Sequence, residues 1–223
     1  MSIAANLIEI KNSLPKGVNL VAVSKTKPLA DILEAYNTGQ RIFGENKVQE
    51  LADKFHQLPK DIEWHMIGHL QTNKVKYIAP FISMIHSVDS LKLLSEINKE
   101  AFKNNRTIHC LLQFHIAEES TKFGLNIDEA ISVLQSSDFA GMKNVRIKGV
   151  MGMATFTDNN EQVRKEFAHL KDIFNKIKES FFSDDPEFRE ISMGMSDDYQ
   201  IAIEQGSTVV RIGSTIFGSR IYH

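Results

Sequence analysis

Eight short apolar runs, each followed by a longer amphipathic stretch, constrain this chain more than any other feature. They are VNLVAVS (Val18 to Ser24), RIFG from Arg41, EWHMIG (Glu63 to Gly68), FISMIHSV (Phe81 to Val88), TIHCLLQFHI (Thr107 to Ile116), VRIKGVMGMA (Val145 to Ala154), REISMGM (Arg189 to Met195) and TVVRIG (Thr208 to Gly213). Near-continuous apolar strands indicate burial on both faces, and helical crossovers indicate parallel pairing. Eight such units close into a (β/α)8, or TIM, barrel. The alternative arrangement of the same units is an open, doubly wound sheet.

The connecting stretches carry helix signals. Pro28 opens a helix that ends near Gly39, with proline early and glycine late. Further helices are predicted over Glu45 to Gln57, from Thr72, over Asp128 to Ser136, over Glu161 to Phe181 and from near Asp197. Asp89 or Ser90 caps another, in which Leu91, Leu94, Ile97 and Phe102 are assigned to one buried face. In the longest, Val163, Phe167, Leu170, Phe174 and Ile177 recur at helical spacing. An N-terminal helix presents Ile3, Leu7 and Ile10 on one side, and SFFSDDPEF from Ser180 is assigned to a surface loop.

At 223 residues with 42% hydrophobic side chains, the chain suits a single α/β domain spanning 1–223. A formal net charge of −2 offers no electrostatic reason to bind nucleic acid or an anionic membrane. No apolar run approaches the roughly 20 residues that span a bilayer, and the N-terminus lacks the basic region of a signal peptide. One cysteine, Cys110, excludes an internal disulfide and fits a reducing compartment. The expectation is a cytoplasmic protein, and a monomer.

In a barrel of this kind, chemistry sits at the C-terminal ends of the strands. Lys25 ends the first run on the parity of Val21 and Val23, so it points into the mouth if those valines fill the interior. Partial desolvation there lowers a lysine pKa and frees the amine to form an imine. A solvated loop lysine is the plainer reading, and Lys27 is the competing amine, although Pro28 places it in the turn. Arg211 shares the parity of Val209 and Gly213. A guanidinium facing inward must find acceptors, either a ligand or a carboxylate inside the barrel.

Gly213 and Ser214 end the eighth run, and Gly194, Met195 and Ser196 end the seventh. Loops after strands seven and eight are the usual phosphate site of this fold, although turns with serine caps give the same pattern. Asn46 offers an amide for an aromatic hydroxyl or oxyanion, or a cap for the following helix. His65 and His69 are four apart on a strand running into a loop, a poor arrangement for zinc. Cys110 and the set Met151, Met153, Met193 and Met195 are assigned to core and cavity wall.

AVSKTKP (Ala22 to Pro28), FGENKVQE (Phe43 to Glu50), WHMIGHLQTNK (Trp64 to Lys74), SMGMSDD (Ser192 to Asp198) and VRIGSTIFG (Val210 to Gly218) occur in order. In order and spacing the chain resembles, over essentially its whole length, the pyridoxal phosphate homeostasis proteins. These are similar to the barrel domain of alanine racemase, fold type III among proteins that use pyridoxal 5'-phosphate (PLP). The resemblance implies that Lys25 carries PLP as an internal aldimine and that Asn46 lies beside the ring. It also implies that Ser196, Gly213 and Ser214 cradle the phosphate. Arg211 is implied near the pyridine nitrogen or the phosphate. Ser214 stands where many members carry threonine, and MGMATFTDN after the sixth run departs from the family pattern.

Racemisation needs a second base, which racemases similar to this barrel take from an additional β domain. The chain ends at Ile221, Tyr222 and His223, which predicts no such domain. A carrier or buffer of PLP, with apo-forms of PLP enzymes as acceptors, is therefore the expectation. The rivals are an amino-acid racemase using a barrel residue such as His69 or Tyr199 as second base, a cofactor-free Schiff-base aldolase on a sugar phosphate, and a non-enzymatic interaction protein with an empty barrel.

Overall fold

A computed structural model describes residues 2–118 and 123–218. The expectation drawn from Ile221, Tyr222 and His223 lies outside the described residues. Helix α1 (Ile3–Ser13) precedes β1 (Asn19–Val23), followed by α2 (Leu29–Asn37), β2 (Ile42–Glu45), α3 (Val48–Gln57) and β3 (Glu63–Met66). A 3-10 turn (Thr72–Lys74) leads into α4 (Val75–Ile78), β4 (Met84–Val88), α5 (Leu91–Lys103) and β5 (Ile108–Phe114). Then come α6 (Ile127–Gln135), α7 (Ser137–Ala140), β6 (Val145–Gly152) and α8 (Asn160–Phe181). The chain continues through β7 (Glu190–Ser192), α9 (Tyr199–Glu204), β8 (Val209–Ile212) and α10 (Ser214–Phe217).

The eight strands pair in parallel, in sequence order, and the ring closes between β1 and β8. The barrel is therefore the observed arrangement, not the open sheet. Closure pairs Val21 with Arg211 and Ala22 with Ile212. One irregularity has a clear cause: β5 and β6 shift register between Cys110 and Leu111, and Gly149 there has φ +153. A Cβ on Gly149 would lie 1.8 Å from the Glu190 carbonyl oxygen, so this bulge accepts only glycine.

Two separate apolar clusters result. The larger lies between helices and the outward strand faces, around Phe43, Trp64, Leu112, Phe167 and Ile212. The smaller, Val21, Val23, Ile67 and Val209, lies inside the ring. Helix α8 contributes Val163, Phe167, Leu170, Phe174 and Ile177 to the outer cluster, as their spacing predicts. Ser90 caps α5 by accepting from the Leu93 amide. Cys110 and Met193 are core residues of the outer layer. Among the described residues no helix is long and apolar enough to cross a membrane.

Three local expectations need correction. Phe102 is 69% exposed, and Ala101 occupies the buried face of α5 instead. Five residues beyond Ile97 a helix has turned about 140° off the stripe. Helix α3 starts at Val48, because Glu45 belongs to β2 and pairs with Met66 of β3. In the segment from Ser180, α8 continues to Phe181, and Phe188 is fully buried, stacked on Phe174 and Phe182.

Candidate functional site

The turn after β1 carries Lys25 between two restrained neighbours. Ser24 donates through Oγ to Glu45 Oε1 at 2.6 Å, and its carbonyl accepts from Lys54 Nζ at 2.7 Å. The Thr26 amide donates to Glu50 Oε1 at 2.5 Å, and Thr26 has φ 65, a left-handed conformation that is uncommon outside glycine. Lys54 joins both carboxylates, at 2.8 Å from Glu45 and 2.7 Å from Glu50. Burial pushes the Glu45 carboxyl pKa up, against the pull of Lys54. The Glu50 and Lys54 spacing of four on α3 was visible in the sequence, but their grip on the Lys25 turn was not.

Lys25 lines a cavity of about 250 Å³ at the C-terminal mouth of the barrel, with Val23, Asn46, Ile67 and Arg211 also in its wall. Met195, Ser196, Asp197, Gly213 and Ser214 line it from the loops after β7 and β8. All six residues singled out from sequence, Lys25, Asn46, Ser196, Arg211, Gly213 and Ser214, therefore meet at one cavity. Sequence reasoning did not assign Ile67, Asp197 or Gly218 to it, whereas Phe156 belongs to the loop after the sixth run, MGMATFTDN. Lys27 also reaches the wall, but its ammonium donates to the Phe217 carbonyl at 2.8 Å and the Gly218 carbonyl at 3.0 Å.

Asn46 is not a helix cap. Lys47 holds that position in α3, without a side-chain bond. The Asn46 Oδ1 atom is buried with no hydrogen-bond partner, a costly state for a polar atom unless a ligand completes it. Its backbone is pressed by Gly68, where a Cβ would come within 2.5 Å of the Asn46 carbonyl oxygen.

Arg211 points inward, as its parity predicts, and is only 4% exposed. Its acceptors are not a carboxylate: Nη1 donates to Ser192 Oγ at 2.6 Å and Nη2 to the Gly152 carbonyl at 3.0 Å. Burial lowers its pKa to about 10, so it remains charged at neutral pH. Gly213 also has a packing role. Its amide donates to Ser196 Oγ at 3.2 Å, and a Cβ there would sit 3.0 Å from the Val23 carbonyl oxygen. Its small size lets the end of β8 pack against the end of β1.

The two histidines of WHMIGH separate. His65 turns into the barrel, with Nδ1 2.9 Å from His86 Nε2. His69 stacks on Phe123 and lies 3.4 Å from Asp89. Neither His69 nor Tyr199 lines the cavity of Lys25. Met153 and Met195 line it, while Met151 is fully buried.

Residues 1–221 match the family model described as alanine racemase, N-terminal domain. Curated relatives include a pyridoxal phosphate homeostasis protein of Aquifex aeolicus (strain VF5), 39% identical over 91% of this chain and 87% of that one. That of Helicobacter pylori (strain ATCC 700392 / 26695) is 39% identical over 90% and 87%. Among solved structures, PipY of Synechococcus elongatus PCC7942 without PLP matches at a TM-score of 0.90 and 33% identity, covering 97% of this chain and 100% of that one. The same protein with PLP bound matches at 0.86 and 32%, with the same coverage. Alanine racemase from E. faecalis, at 14% identity and a TM-score of 0.70, shares the fold over 98% of this chain and 58% of its own. The chain belongs to the pyridoxal phosphate homeostasis protein family, which has the N-terminal barrel domain of alanine racemase.

Proposed function

We propose that this chain, as one barrel domain over 1–223, holds PLP on Lys25 and serves intracellular vitamin B6 homeostasis as a carrier or buffer. The observation that carries the reading is the convergence of an amine, an orphaned amide oxygen and a buried cation on one small cavity. Ligand cavities ordinarily run from about 300 to 1,000 Å³. A space of about 250 Å³ suits a compact cofactor better than a cofactor with a bulky substrate.

When bound, PLP supplies an aldehyde that condenses with an amine, and a pyridine ring whose strength as an electron sink rises when its nitrogen is protonated. Lys25 is the amine, since it follows β1 into the cavity wall on the parity of Val21 and Val23. Asn46 Oδ1 would face the ring substituents. Ser196, Gly213 and Ser214, on the loops after β7 and β8, would hold the phosphate end. Arg211, on the inward parity, would hold the ring side, where a permanent cation would disfavour nitrogen protonation and so weaken the sink. The alternative, amino-acid racemisation, has less support, because His69 and Tyr199 both stand outside the cavity wall.

The test is an absorbance scan of the purified chain with PLP, before and after borohydride, followed by peptide mapping. A visible band that reduction converts into a label on Lys25 is the expected result. A label on Lys27, or no band at all, overturns the assignment. Turnover of any L-amino acid above about 1 s⁻¹, an ordinary enzymatic rate, overturns the carrier reading. We extend the proposal to transfer of PLP to apo-enzymes, by a monomer in the cytoplasm. Regain of activity by an apo-enzyme mixed with the loaded chain checks the transfer, and light scattering checks the monomer.

A further inference from the structure

We propose that Ser192 and His86 are positioning residues for Arg211, forming with His65 a one-way hydrogen-bond chain that fixes how the guanidinium faces the cavity. The chain draws on four strands: Arg211 from β8, Ser192 from β7, His86 from β4 and His65 from β3. Arg211 Nη1 donates to Ser192 Oγ at 2.6 Å. Ser192 Oγ lies 2.9 Å from His86 Nδ1, and His86 Nε2 lies 2.9 Å from His65 Nδ1. Strands β4 and β7 are not neighbours in the ring, so the contact between His86 and Ser192 crosses the interior. All four side chains are buried, with Ser192 and His86 at 0% exposure.

Proton counting sets the direction. A guanidinium can only donate, so Ser192 Oγ accepts from Arg211. Among the described residues, His86 is the only acceptor in hydrogen-bond reach of the Ser192 hydroxyl. If Ser192 donates to His86 Nδ1, His86 carries its proton on Nε2 and donates to His65 Nδ1. His65 then carries its own proton on Nε2. Every shared proton points away from the cavity. Burial first, and then neighbouring charge from His109 on His65 and from His65 and Arg211 on His86, keeps both imidazoles neutral. Neutrality is required beside Arg211, since a protonated His86 would have no lone pair for Ser192.

A barrel interior is ordinarily filled by branched aliphatic side chains. Buried polar groups can often be replaced by apolar ones of the same shape at little cost in stability. Packing alone therefore gives little reason for a serine and two histidines here. Aiming a buried cation does.

The inference rests on the reading that Arg211 faces bound PLP. The test is spectral titration of the full chain with PLP at fixed pH, with apo-protein melting temperature as a separate measure of fold. Ser192→Ala and His86→Leu are expected to weaken PLP binding about ten-fold, the size of a lost hydrogen bond to a charged group. His86→Asn, whose amide oxygen can replace Nδ1 as acceptor, is expected to stay within about three-fold, with no matching order in melting temperature. Equal losses in His86→Asn and His86→Leu, or parent-like binding in all three, overturn the proposal.

Imidazole 15N shifts of the parent apo-protein provide a second readout that needs no variant. Both histidines are expected as Nε2–H tautomers with Nδ1 accepting. An Nδ1–H on His86 reverses the chain and overturns the inference, whatever PLP does. Failure of the parent to bind PLP refutes the proposed function and leaves the tautomer result to stand alone.

Discussion

Val21, Val23, Ile67 and Val209 share the barrel interior with His65, His86, Ser192 and Arg211. Strand β8 contributes to both sets, and Ile67 follows His65 just beyond the end of β3, so two residues along the chain change the chemistry from dispersion to hydrogen bonding. The apolar set is held by shape, and its members can be trimmed with a graded loss. The polar set is held by partner: each atom depends on the next, and one deletion strands a buried donor or acceptor. The candidate site residues lie where the two sets meet the mouth, with Lys25 above Val21 and Val23, and Arg211 above Val209.

The strongest test of this contrast is Lys25→Ala. It should abolish the visible absorbance of lysine-bound PLP and leave the apo-protein melting temperature within about 2 °C, because a mouth residue supports neither set. A large fall in melting temperature would mean that the turn clamped by Lys54 is part of the core. Next, Arg211→Leu should weaken PLP retention by one to two orders of magnitude and cost about 1–3 kcal/mol of stability, by stranding Ser192 Oγ and the Gly152 carbonyl. Unchanged retention on a desalting column would make Arg211 purely structural.

Acid should act on the polar set alone. The unfolded-state pKa of histidine is about 6.5, and the folded value of His65 is held down to about 3, by burial and then by His109. His86 is held well below its ordinary value by burial, His65 and Arg211. Below pH 6.5 the unfolded chain binds protons that the native chain refuses. Stability is therefore full above that pH and is lost as the pH falls, by about 1.4 kcal/mol per pH unit for each histidine. Urea midpoints measured from pH 7 to 4.5 check the slope, which should flatten in His65→Gln/His86→Asn. The smallest effect is expected for Val21→Ala, about 2 kcal/mol of apo-protein stability with PLP affinity within two-fold. An affinity loss like that of Arg211→Leu would erase the distinction between the sets.

The strand pattern, the closed ring and the convergence of six site residues were legible in the sequence, because strand parity and strand ends are local properties. What holds those residues was not. Ser192 and His86 stand 106 positions apart and meet only across the closed barrel. Their polarity within apolar runs was visible, but not their partners. Phe102 was misassigned by one residue of helical phase. The packing of Gly213 against the end of β1 was not legible either, because that neighbour enters only through closure. Glu45 was read as the start of a helix because a carboxylate buried at a strand end makes sense only beside Lys54.

The contact of Gly213 with Val23 has a kinetic consequence. It joins the ends of β8 and β1, which are directly hydrogen-bonded neighbours. The amine and the last loop of the cavity thus follow the ends of adjoining, hydrogen-bonded strands of one closed barrel. If the chain carries PLP on Lys25 as proposed, how long cargo stays aboard would be governed by the bond at that lysine and the polar contacts around it, rather than by the opening of a domain. Its release rate can then be tuned one side chain at a time.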